Sequence, residues 1–148
     1  MAENKIDFDA LSNIAHGPDG GIAKLNELWG HTFQLKEWLF INRGTLTAPS
    51  PYVASRADVC EGKQLIRAFT DAQKLMDFVS ENKLANNGDV PFILSVPTQD
   101  IIPWLLNFTR QQVYGIWFNS NLKSNGYYSP LAQLRPIKDH LDRNWFRR

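Results

Sequence analysis

The groups in this chain able to do covalent or metal chemistry are few: three histidines, one cysteine and fifteen carboxylate side chains. His16, His31 and His140 lie far apart, and none has a partner at the i, i+4 spacing that puts two ligands on one helical face. They read as surface or capping histidines, and no metal is implied. Cys60 needs a base to become a nucleophile, but Asp58 and Glu61 beside it disfavour a thiolate and no cysteine-protease signature surrounds it. Asp58 with Glu61, and Asp71 with Asp77, are paired carboxylates only in sequence. Acid–base work on a glycosidic bond requires such a pair held across a cleft, which nothing local provides. Gly17, Gly20 and Gly21 with Asp19 resemble an anion-holding turn that feeds a helix. The run lacks both the G-x-G-x-x-G fingerprint and the G-x-x-x-x-G-K-[ST] loop, so it reads as a simple chain entry into a helix. The expectation is no catalytic residue, no cofactor and no metal. The enzyme alternative is a small hydrolase using His140 or Cys60, which requires one of them within ~3 Å of a carboxylate or hydroxyl.

Residues suited to binding are more plentiful. Arg135, Lys138, Arg143, Arg147 and Arg148 stand against Asp139 and Asp142 near the C-terminus, with Trp145 and Phe146 among them. A basic-aromatic tail of this kind can stack on bases, meet phosphate, or pack into a groove on a partner. The bland reading docks Leu141, Trp145 and Phe146 on the body and leaves the arginines in water. Trp104, Trp117, Tyr127 and Tyr128 are the other candidate anchors, expected to form an aromatic patch rimmed by polar groups. The candidate partner-binding residues are therefore Trp104, Trp117, Tyr127, Tyr128, Trp145 and Phe146.

The elements that must position these groups follow from patterning. A chain of 148 residues makes one domain of ordinary size, and five tryptophans with nine phenylalanines predict an aromatic-heavy core. A net charge of +1 gives no general attraction to nucleic acid or anionic membrane, so nucleic-acid binding is an alternative resting only on the basic C-terminal segment. The first thirteen residues lack the apolar core of a signal peptide, no run reaches the ~18–20 apolar residues of a membrane span, and the lone cysteine suits a reducing compartment. The expected location is cytoplasmic, with no membrane partner. Residues 1–20 read as a flexible segment in which Phe8 and Leu11 tack onto the body and Asp7 or Asp9 caps a short turn.

Ile22, Leu25, Leu28 and Trp29 predict a helix over residues 21–31, and Trp38-Leu39-Phe40-Ile41 a buried strand closed by Asn42-Arg43-Gly44. Residues 52–54 and 63–69 pair as an antiparallel hairpin about Glu61-Gly62, with the short first strand a candidate edge for pairing with a second copy in a homodimer. Thr70 and Gln73 form a capping-box pattern ahead of a helix whose apolar face is Leu75, Met76, Phe78 and Val79. Asn86-Asn87-Gly88-Asp89 is a loop, and residues 92–96 form the next strand. Thr98 caps Ile101, Ile102, Leu105, Leu106 and Phe108, where Pro103 either kinks the helix or marks its first turn after a separate turn. Residues 113–118 are a strand, residues 120–129 a Gly/Asn/Ser-rich loop, and residues 131–141 a final helix despite Pro136. The fold class is α/β (α+β): a single domain with a mixed central sheet of about four or five strands flanked by helices. Its parallel component is expected among the last three strands. Residues 21–148 are the domain proper, ending in the basic-aromatic tail.

Phe69-Thr70-Asp71 after a short strand, the amphipathic helix and polar insert that follow, and the Leu105-Leu106 helix leading to Ile116-Trp117-Phe118-Asn119 resemble the N-terminal domain of SseB-like proteins. The likeness covers roughly residues 38–121. Arg67-Ala68 stands where such domains often carry a proline, and Asn119-Ser120-Asn121 where they tend to show Asn-Pro. The resemblance implies a bacterial α/β domain with no established catalytic residues. It favours a non-catalytic protein-interaction or regulatory accessory module whose partner is another protein.

Overall fold

Leu65 to Phe69 are buried at every position, so this run needs neighbours on both edges and cover on both faces. The computed structural model describes residues 6–45, 47–56, 59–84, 92–120 and 126–146. In it the elements run α1 (Phe8–Ala15), α2 (Ile22–Gln34), β1 (Glu37–Ile41), β2 (Val53–Ala54), β3 (Leu65–Phe69), α3 (Ala72–Glu81), β4 (Ile93–Pro97), α4 (Ile101–Leu106), β5 (Gly115–Phe118), β6 (Tyr127–Pro130) and α5 (Leu134–Asn144). The strands make one six-stranded mixed sheet in the order β4-β1-β3-β5-β6, with β2 also beside β3. The fold is the α/β domain that the patterning predicts.

The hairpin of β2 and β3 forms as expected, with Val53 opposite Ile66 and Ala54 opposite Leu65. Its return turn takes Cys60, Glu61 and Gly62 through φ of 48°, 58° and 74°. The expected parallel component is narrower than three adjacent strands. β3, β4 and β5 do point one way, but β1 lies between β4 and β3 and is antiparallel to both. Among the described residues only β3 and β5 pair in parallel, joined through α3, β4 and α4.

Strand alternation sends side chains to two different layers. Trp38, Phe40, Ile66, Ala68, Ile116, Phe118 and Tyr127 face the larger core, which also takes in Phe8, Leu28, Trp29, Ile101, Leu105, Leu134, Leu141 and Trp145 from α1, α2, α4 and α5. On the other face Ile41 and Phe69 meet Leu75, Phe78 and Val79 of α3, while Leu65 and Trp117 pack with Val59. At the centre of the larger core the Tyr127 hydroxyl lies 2.7 Å from Thr32 Oγ1, which itself donates to the Leu28 carbonyl at 2.7 Å. Thr32 has only one proton, so Tyr127 is the donor between the two hydroxyls. Burial pushes the Tyr127 hydroxyl far above its usual range, which keeps it a donor. Gly30 admits the last tryptophan of the chain: a Cβ there would lie 2.5 Å from Cε3 of Trp145.

Several sequence expectations are corrected. Residues 8–15, expected within a flexible segment, form α1. Asp7 caps it by accepting the Ala10 N–H at 3.0 Å, and Phe8, Ser12 and Ala15 bury on one face. Ser12 Oγ donates to the Gly126 carbonyl at 3.0 Å, and Asp9 pairs with Lys74 of α3 at 3.0 Å. Thr70 does not cap α3; Asp71 does, accepting the Lys74 N–H at 2.8 Å. Gln73 donates to Asp77 at 2.8 Å rather than closing a capping box. Met76, placed on the apolar face by periodicity, is exposed. Thr98 starts a 3₁₀ turn, Thr98–Asp100, and donates to the Leu35 carbonyl; α4 begins at Ile101 with Pro103 in its first turn, where no intrahelical N–H is required. Residues 127–129, expected as loop, belong to β6, because Tyr127 to Pro130 pair register by register with β5. The loop expected at Asn86-Asn87-Gly88-Asp89 lies outside the described residues. Among the described residues no helix is long and apolar enough to cross a membrane.

Candidate functional site

The predicted aromatic patch is divided between the two faces of the sheet. Tyr127 and Tyr128 are neighbours on β6 and must point to opposite sides. Tyr127 is buried, stacked on Phe118 at 5.0 Å and edge-on to Trp29 at 5.2 Å. Trp104 is half-buried on the same side, against Phe40 and Phe108 at 5.1 and 5.0 Å. Trp145 is buried beside His31 and Phe146, so it closes the core below α5. Trp117 and Tyr128 alone share the opposite face, as directly opposed residues of β5 and β6 with rings 6.4 Å apart.

Register completes that row with a residue the sequence reading passed over. Arg67 on β3 lies opposite Trp117 on β5, and its N–H donates to the Tyr52 carbonyl at 3.0 Å on its other edge. The row Tyr52, Arg67, Trp117, Tyr128 thus runs from the residue before β2 across β3, β5 and β6 on one face. Arg67 is only 6% exposed. Its guanidinium lies 4.1 Å from the Trp117 ring centroid and 5.6 Å from that of Phe78. Nε and Nη2 donate to the Ala54 carbonyl at 3.3 and 3.2 Å, and Nη1 donates to Ser120 Oγ at 2.9 Å. No carboxylate among the described residues pairs with it. Burial pulls the guanidinium down to about 10, with Tyr52 opposing and Arg56 adding to the fall, so it stays cationic at neutral pH. The legible signal was a lone charge inside an all-buried strand, since arginine is almost never fully buried without a partner.

A cavity of about 300 Å³ opens at this point, lined by Tyr52, Ala54, Arg56, Arg67, Phe78, Glu81, Trp117 and Ser120 among others. Arg56 approaches the same indole, 5.7 Å from its centroid, so two guanidinium groups share one aromatic wall. Tyr128, 48% exposed, continues the row toward the sheet edge. A confined cation between aromatic walls can bind an anion or present a desolvated anchor to a partner surface.

Among the described residues the remaining candidates are not brought together. A wider groove of about 910 Å³ lies between the end of α2, the start of α4 and α5, floored by Phe33, Ile102 and Pro103 and carrying Lys36, Arg135, Lys138, Asp139 and Asp142. Its charges are mixed, and Lys138 pairs with Asp142 at 2.6 Å. Arg143 is exposed on α5, while Arg147 and Arg148 lie outside the described residues, so the basic tail is not seen as one patch. His140 Nδ1 lies 3.2 Å from Asn144 Nδ2, and no carboxylate or hydroxyl among the described residues meets its ring. Cys60 sits on the hairpin turn, half-buried against Val59, Leu65 and Trp117. Burial raises its thiol, Lys63 works against this and Glu61 adds to it; Asp58 lies outside the described residues. The expected result is that alkylation of Cys60 by iodoacetamide is slower at pH 7.5 than that of a free thiol and accelerates through a midpoint above 9.0. A midpoint near 7 would show an activated thiolate instead. Near Gly20 a Cβ would lie 2.1 Å from the Ala15 carbonyl oxygen, so this glycine serves the tight chain reversal between α1 and α2. Among the described residues no group of three or more His, Cys, Asp and Glu side chains is placed to hold a metal ion.

Comparison with protein-family models, with curated proteins and with solved structures gives no match to this chain.

Proposed function

We propose that this chain is a non-catalytic protein-interaction module, regulatory or accessory in role, of a bacterial cytoplasm. It captures its partner through the sheet face on which Tyr52, Arg67, Trp117 and Tyr128 stand in a row. The observation that carries this reading is Tyr128: a large aromatic left 48% exposed, directly across from buried Trp117, whose ring lies against a desolvated arginine. Tyrosine, tryptophan and arginine are the side chains that most often supply binding energy at protein interfaces, and they do so where water is excluded. The resemblance to the SseB N-terminal domain supports the same accessory role, because it brings no catalytic residue with it. A second copy of the chain is one partner this face could take.

Affinity capture from a lysate of the source organism tests the reading. Wild-type protein is expected to retain at least one protein that Tyr128→Ala retains about tenfold less, or not at all, while the variant keeps the wild-type melting temperature. Light scattering on the purified protein separates self-association from capture of another chain. Retention of the same proteins in equal amounts by wild type and Tyr128→Ala would overturn the proposal.

A further inference from the structure

We infer that the Arg67 cavity is a carboxylate-recognition pocket, seating one acidic side chain or chain end of the partner polypeptide. The inference rests on the sheet face above being the binding surface, and it names what that surface reads.

The guanidinium has five N–H donors, of which the contacts to Ala54 and Ser120 use three. The two left over are one on Nη1 and one on Nη2, and a carboxylate has two oxygens to accept from them. Trp117 lies over the guanidinium at 4.1 Å, which leaves approach in the plane of the fork. Arg67 is more than nine-tenths buried and has no anionic partner among the described residues, so its charge has lost water without gaining a counter-ion. An incoming carboxylate would supply that counter-ion.

The walls decide between anions. Arg67 brings a single buried cation to the lining, which one carboxylate charge matches. Tyr52, Phe78 and Trp117 surround the cation with aromatic surface, which suits the methylene stem of a carboxylate side chain and gives nothing to the outer oxygens of a phosphate. The volume of about 300 Å³ is at the small end for a ligand site and holds a side chain rather than a folded segment.

The test uses the full chain and follows the Trp117 indole N–H and the Arg67 Nε–H by ¹H–¹⁵N correlation spectra. The probes are butyrate, inorganic phosphate, an N-acetylated tripeptide ending in a free carboxylate, the same tripeptide amidated, and a doubly capped tripeptide with an internal glutamate. One or both carboxylate peptides are expected to shift the two signals saturably, at least tenfold more tightly than the amidated peptide or phosphate. Arg67→Gln should abolish the shifts and Arg67→Lys should weaken binding at least tenfold, because lysine lacks the fork. The free-acid and amide peptides compared on wild-type protein keep the test decisive even if Arg67→Gln does not fold. Equal binding of phosphate, or no shift with any carboxylate, would overturn the inference. Butyrate binding as tightly as the peptides would overturn its assignment to a polypeptide. Loss of partner capture in Tyr128→Ala with no carboxylate binding would refute the pocket and leave the interaction face standing. Carboxylate binding without any captured partner would do the reverse.

Discussion

Phe118→Ala is expected to lower the stability of the protein by about 3–5 kcal/mol, the largest loss from any single truncation considered for this core. Phe118 is fully buried and touches rings from three other elements: Trp38 edge-on at 4.9 Å, Trp29 edge-on at 5.9 Å, and Tyr127 stacked at 5.0 Å with planes 9° apart. Removing the ring forfeits its transfer free energy and leaves a void that three neighbouring aromatics, held by their packing and by the Thr32–Tyr127 hydrogen bond, can fill only partly. Domains of this kind retain only about 5–15 kcal/mol in total, so the fall in melting temperature should be on the order of 10 °C. Urea denaturation with Ile14→Ala as an exposed control measures it; a loss below about 1 kcal/mol would mean the cluster is not packed as described.

Asn119→Ala should follow at about 2–4 kcal/mol, from a residue that is not apolar. Asn119 is 1% exposed and ends β5 with φ at 56°, a conformation asparagine tolerates better than alanine. Its Oδ1 accepts the Thr70 N–H at 3.1 Å and its Nδ2 donates to Thr70 Oγ1 at 3.0 Å. The side chain thereby satisfies the point where β3 gives way to α3, after the last ladder bond from Asn119 N–H to the Ala68 carbonyl at 2.9 Å. Alanine leaves the Thr70 donor without that acceptor and adds left-handed backbone strain. Asn119→Gly removes the hydrogen bonds without the strain and should cost about 1 kcal/mol less. In a double-mutant cycle Thr70→Val should couple to Asn119→Ala by about 0.5–3 kcal/mol; additive losses would show that the two side chains act separately.

Thr70 marks the limit of local reading. A threonine three residues before a glutamine, ahead of an apolar face, satisfies every local rule for a capping box, yet the cap is Asp71. Asn119 is 49 residues away and takes both Thr70 groups, a competitor that no window around residue 70 contains. β6 was hidden for the same reason. Gly126-Tyr127-Tyr128-Ser129-Pro130 has turn-forming neighbours and no long alternation, and becomes a strand because β5 offers it a free edge. The N-terminal helix was half legible: Asp7 and Phe8 carried the cap and the contact, but Ser12 reaching the Gly126 carbonyl did not show.

By itself the sequence determined where most helices and strands lie, many of the residues that face a core, the α/β class, and the absence of an obvious local catalytic motif. Those are properties of one segment at a time, written in periods of two and 3.6 residues and in caps and turns. Only the tertiary structure decided which anchors share a surface. The parallel pairing of β3 with β5 sets Arg67 against Trp117, the antiparallel β5–β6 pairing sets Trp117 against Tyr128, and the pleat sends Tyr127 into the core. A shift of one residue in either register would exchange the faces, and register is set by contacts between segments dozens of residues apart.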